Sequence, residues 1–195
     1  MRKKMPYQSL THTLRMIKAQ ALEGLPYVKK EIPGKMKPDE LFDYLKDRVT
    51  YRNDPKGIEL VHTPQTLFED NYHGTPGAGD CDDFSMLAIA ALKAQGVPEK
   101  DINIVLTGKS RKTPKHIYLS VNGTPFDLTN SYYGQERTYP YKQEIPLKLL
   151  WHYSFTIMAW KADPGLEELL RRQSDMLLIL TTRQPDLPTG GDRNF

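Results

Sequence analysis

Cysteine is the scarcest chemistry-bearing residue here: among 195 residues there is one, Cys81. A single thiol excludes an internal disulfide framework and a multi-cysteine zinc site. Long apolar runs are missing too. Met176-Leu177-Leu178-Ile179-Leu180 and the run Met86–Leu92 are both far short of the ~18 residues that a spanning helix needs, so a soluble protein with no membrane partner is expected. An excess of one charge is also absent. Lys and Arg total 27 against 24 Asp and Glu, and basic residues cluster only at Arg2–Lys4 and Lys109–Lys115, which argues against a nucleic-acid partner. The basic start, Met1 to Pro6, leads into no apolar stretch. No signal peptide is expected, and the expected compartment is a cytoplasm. His62, His73 and His152 show no ligand spacing, so neither a metal nor another cofactor is expected.

What the chain does contain is helical and strand periodicity in alternation. Leu10, Leu14, Ile17, Ala21 and Leu22 recur at helical spacing, predicting a helix over 9–23. Residues 25–38 hold three prolines and Gly34 and read as a loop. Pro38-Asp39-Glu40 opens a second helix, to about Val49, and 64–70 reads as a short one. Residues 51–64 are irregular, with a turn at 53–57, and 72–79 form a Gly-rich loop. The strongest helix runs from Cys81 to Gln95, apolar nearly all round, with Gly96 as its stop and Pro98 beyond. Ile102–Leu106 and Lys115–Val121 read as strands, and Asn122-Gly123 is a type I′ hairpin signal leading into Thr124–Leu128. A polar loop over 132–142, a strand within 151–160, a helix over 165–180 and a tail from Thr181 complete the reading.

The chemistry centres on Cys81. With Asp80 as the cap, the thiol sits in the first turn of a helix, where free N–H groups and the helix dipole favour an anion. Asp82 and Asp83 oppose this by adding negative charge, so helix position alone does not make a nucleophile. The hairpin supplies a base. A two-residue turn at Asn122-Gly123 sets Leu119 opposite Phe126 and puts His116 and Asp127 on one face within side-chain reach, with the apolar residues on the other. Cys81 as nucleophile, His116 as base and Asp127 as its orienter form the parts of an acyl-transfer triad. The Cys81 backbone N–H is one oxyanion donor; Gln65 or Tyr51 would supply the second, with Asp82 supporting the site.

These residues carry a family resemblance. Gly79-Asp80-Cys81-Asp82-Asp83-Phe84, the helix end Ala90–Pro98, His116–Val121 and Phe126-Asp127-Leu128-Thr129 resemble the Cys, His and Asp segments of the transglutaminase-like superfamily. The similarity is to its small bacterial and phage-type members. Leu41–Tyr51, Asp54-Pro55 and Glu59–Pro64 resemble its upstream elements, so the likeness spans roughly residues 38–130. Leu128 stands where the family usually has Pro, and the His-to-Asp interval is short. The resemblance implies an α+β fold. Its papain/transglutaminase-like core would pack a Cys-bearing helix on an antiparallel sheet, with N- and C-terminal helical decorations. The expected organisation is an N-terminal helix and linker (1–37), the core (38–162), a C-terminal helix (163–180) and a flexible tail (181–195).

Two function classes follow. The first is thiol-dependent acyl transfer on an amide, as cysteine peptidase, amidase or transglutaminase, acting on a protein or peptide substrate. The second is a phage virion or assembly protein that keeps the fold as a scaffold and grips neighbours through its terminal arms. The host cytoplasm or a virion would then be its location.

Overall fold

The computed structural model describes residues 3–5, 10–54, 59–69, 71–72, 75–111 and 114–149. The strand expected within 151–160, the helix at 165–180, the tail and the centre of the 53–57 turn lie outside them. The described residues all fall within one compact unit.

In chain order the elements are β1 (Lys3–Met5), α1 (Leu10–Glu23), α2 (Leu25–Glu31), α3 (Pro38–Lys46), β2 (Thr50–Tyr51), β3 (Glu59–Val61) and α4 (Pro64–Glu69). There follow β4 (Asn71–Tyr72), β5 (Thr75–Pro76), β6 (Ala78–Gly79), α5 (Cys81–Ala94), β7 (Ile102–Gly108), β8 (Pro114–Val121), β9 (Thr124–Phe126) and β10 (Tyr141–Pro146). The chain is thus mixed α/β with an antiparallel four-stranded sheet in the order β10-β7-β8-β9. None of the described helices is long and apolar enough to cross a membrane.

The sheet and the helices meet at α5. Every residue from Asp82 to Leu92 is buried. A helix apolar on all sides needs partners on all sides. Here α1, α2, α3 and α4 pack against it, and β8 closes the remaining side. Asp80 caps the helix by accepting from the Asp82 N–H at 3.2 Å. Gly96, at φ 82, takes the left-handed stop that the sequence reading assigned to it.

The β8–β9 hairpin forms at Asn122-Gly123, with φ values of 50 and 80. These positive angles are those a type I′ turn requires. The register is Val121↔Thr124 and Leu119↔Phe126, as the two-residue turn dictates.

Three expectations are corrected. Residues 25–31 are helical, not loop: Gly24 keeps a right-handed helical conformation, and Pro26 is tolerated in the first turn of α2, where its missing N–H would go unused anyway. The sheet's fourth strand is Tyr141–Pro146, part of which reads as polar loop. It is an edge strand, and Lys142 and Glu144 suit that place because edge strands carry charge against further pairing. Short strands occupy segments expected to be irregular. One of them, β2, pairs parallel to β6 through Thr50 N–H to Gly77 O (3.1 Å) and Arg52 N–H to Gly79 O (2.8 Å). That pairing needs Gly77: it sits at φ 62, and a Cβ there would lie 2.0 Å from Arg48 O.

Candidate functional site

Cys81 is the first residue of α5, so the cap that starts the helix also sets the thiol's place. Opposite it, β9 is short and its pairing with β8 stops at Leu119↔Phe126. One alternation further along β8, the backbone of Ile117 turns its polar groups to α5 instead. Its N–H favours the thiolate of Cys81 and so works to lower the thiol's pKa. Its carbonyl accepts from Ser85 Oγ at 3.3 Å, and the same hydroxyl donates to Cys81 O at 2.7 Å. The nucleophile candidate is thereby stitched to the residue next to His116.

A bulge precedes that histidine. Thr107 pairs with His116, but Gly108 pairs with Pro114, so Lys115 is the extra residue. Bulges at such positions re-aim the following side chain. The His116 ring stacks on Tyr118 with centroids 5.5 Å apart and has Tyr139 on it at 6.0 Å. Its Nε2 lies 2.8 Å from Asp127 Oδ2.

Asp127 is buried and fully engaged. Oδ1 accepts from the Thr129 N–H (3.0 Å) and Thr129 Oγ1 (2.7 Å). Oδ2 accepts from Asn130 Nδ2 (3.1 Å) as well as from His116. Burial alone would raise the carboxyl's pKa, but the bonds from His116 and Thr129 outweigh it and hold the group below its usual range. Asp127 is therefore an acceptor only, which assigns the proton to Nε2 of His116 and leaves Nδ1 as the ring's basic nitrogen.

The thiol is pushed well above its ordinary pKa. Burial is the main cause, followed by the negative charge of Asp80; the Ile117 N–H works against them, while Asp82 and Asp127 add to the rise. Burial and Asp80 thus favour Sγ–H over the thiolate. The sequence reading named Asp82 and Asp83 as the opposing charges. Asp80 proves larger than Asp82, and Asp83 is turned away to His62, whose Nδ1 lies 2.6 Å from its Oδ2.

The remaining site candidates separate. Asp82 is buried, and its Oδ1 accepts from the Asp83 N–H at 2.9 Å, so it helps build the first helical turn. Tyr51 is 50% exposed, with its ring edge on Phe84 and its hydroxyl donating to Asn53 Oδ1 at 3.1 Å. Burial and then the proximity of Cys81, once ionised, push its hydroxyl's pKa up. Gln65 is exposed on α4 and gives its amide N–H to Glu69 at 2.8 Å, a contact that directs it along its own helix. Sequence reasoning missed Thr129 and Asn130, although Asp-x-Thr is a readable signal, since Asp commonly accepts from the N–H two residues on. It also missed Tyr139 over His116 and the partnership of His62 with Asp83. Oxygens of Asp80, Asp82 and Asp83 lie within 4.8 Å of one another, the described residues' one grouping suited to a cation. Capping hydrogen bonds already explain their closeness.

Comparison with family models, with curated proteins and with solved structures finds no match to the chain.

Proposed function

We propose that the chain is a thiol-dependent acyl-transfer enzyme with a papain/transglutaminase-like core, acting on an amide of a protein or peptide substrate. Its Cys-His-Asp triad is Cys81, His116 and Asp127. The observation that carries this reading is the bonding of His116 to Asp127, beside Ile117, whose carbonyl shares the Ser85 hydroxyl with the Cys81 carbonyl.

In this reading His116 Nδ1 takes the proton from Sγ as sulfur attacks the carbonyl carbon. A general base is needed, because burial and Asp80 keep the thiol protonated at rest. The Cys81 backbone N–H donates to the oxyanion. The C–N bond then breaks, and the imidazolium gives its proton to the departing amine. Water or a second amine, deprotonated by His116, releases the acyl group and restores the thiol. Asp127 stabilises the imidazolium throughout and fixes the tautomer.

The raised pKa of the half-buried thiol favours a second reading, a virion or assembly scaffold in which the site is dormant. One experiment separates the two. The chain is mixed with 4-nitrophenyl acetate, and 4-nitrophenolate release and intact mass are followed. The enzyme reading expects one acetyl group on Cys81, and a rate at least about 100-fold lower in His116→Ala, the usual worth of a general base. Equal labelling of both proteins, or no labelling of the folded chain, would sink it in favour of the scaffold.

A further inference from the structure

Behind the thiol lies a second histidine–carboxylate pair that the acyl-transfer chemistry does not use. His62 stands between β3 and α4 and is 5% exposed; Asp83, in the first turn of α5, is 0% exposed. One residue takes both oxygens of the other. The His62 backbone N–H donates to Asp83 Oδ1 at 2.8 Å, and the ring Nδ1 meets Oδ2 at 2.6 Å. Oδ2 also faces the Asp80 N–H at 3.4 Å. Gly79 comes so close that a Cβ there would lie 2.7 Å from Oδ2 and 2.8 Å from the Asp83 Cβ. A carboxylate held from two sides by one residue has no freedom to turn.

We infer that His62 is a positioning residue for the thiol, clamping the first turn of α5 through Asp83 and so fixing Cys81. The inference rests on the acyl-transfer reading. First turns of helices fray, and a nucleophile in such a turn loses its geometry with them. A misplacement of about 1 Å can cost about 100-fold in rate, so the turn that carries Cys81 needs an anchor beyond its own cap. Asp80, the cap, fixes only the helix's own backbone. Asp83 ties that backbone to a segment 21 residues earlier in the chain. The other charged groups on this turn, Asp80 and Asp82, share the sign of Asp83, which leaves the imidazole as its counterpart.

The test uses amide geometry. In His62→Asn the side-chain N–H falls near the place of Nδ1; in His62→Gln it falls near that of Nε2. Both keep a polar group of similar burial, and circular dichroism checks that each folds. Acylation by 4-nitrophenyl acetate and alkylation by iodoacetamide are measured over pH, and the only thiol reports in both. His62→Asn should acylate within about threefold of wild type, with an unmoved pH midpoint. His62→Gln should acylate about tenfold or more slowly. It should also alkylate faster, because a loosened turn exposes more of the half-buried sulfur. This opposite movement separates positioning from a general loss of structure. Asn and Gln variants that behave alike in both reactions would overturn the inference. If wild type does not acylate at all, the acyl-transfer reading has failed. The alkylation rates then decide the clamp alone: faster in Gln than in Asn upholds it, and equal rates overturn it.

Discussion

Replacing Asp127 by Asn probes the site most sharply, because the carboxylate accepts from His116, Asn130 and Thr129 at once. An amide offers one acceptor oxygen. If it faces Thr129, its NH2 points at the Nε2–H of His116 and at the Asn130 amide, donor against donor. The imidazole relieves the clash by moving its proton to Nδ1, the nitrogen that must accept from the thiol. The expected loss in single-turnover acylation is about 10²–10⁴-fold, the range for a general base. Stability should fall by about 2–4 kcal/mol, from one charge-assisted bond lost and one buried donor left unmet. The pH dependence has a definite sign. Asp127 is held below its usual range, so its contribution is full above the unfolded value of about 3.9 and lost as pH falls through the folded one. Urea unfolding should therefore show the widest gap between the two proteins near neutral pH, narrowing below about pH 4. A folded Asp127→Asn variant that acylates within threefold of wild type would refute the assigned tautomer.

The thiol should titrate above the ordinary ~8.5 of free cysteine. Asp80→Asn removes a negative charge and should move the midpoint of the alkylation-versus-pH curve downward; an unmoved midpoint would discount Asp80 as a cause. Gly77→Ala places a Cβ 2.0 Å from Arg48 O at a positive φ. It should cost more than about 1 kcal/mol by chemical denaturation and disturb β2–β6, since alanine at such an angle is strained. Lys18 is buried and donates to Leu147 O at 3.0 Å and Glu99 at 3.2 Å. Lys93 still pairs with Glu99 at 3.3 Å, so the main loss in Lys18→Met is the donor to a carbonyl. A cost of about 1–3 kcal/mol is expected, and a more stable variant would contradict it.

What could be read from the residues alone follows from how local the governing physics is. Asn122-Gly123 selects one turn type, the turn selects the register, and the register places His116 near Asp127. The cap and stop of α5 were legible for the same reason, each depending on a few adjacent residues. Helix α2 is hidden because proline reads as a breaker, whereas Pro26 stands in a first turn where proline is harmless. The edge strand β10 was hidden because one-sided pairing permits the polar composition of a loop. The bulge at Lys115 and the clamp of His62 on Asp83 depend on partners brought together only by folding. No local pattern marks them.

Asn130 couples the site to the segment that follows it. Its side-chain amide donates both to Asp127 Oδ2 at 3.1 Å and to Gln135 O at 2.9 Å, and its oxygen accepts from Arg137 Nε at 3.0 Å. The segment leading to Tyr139, which covers His116, is thus roped to the carboxylate that steers His116. Any displacement of Tyr139 would pull on that rope. The place of Tyr139 and the aim of the imidazole are then two ends of one lever, with Asn130 as its fulcrum.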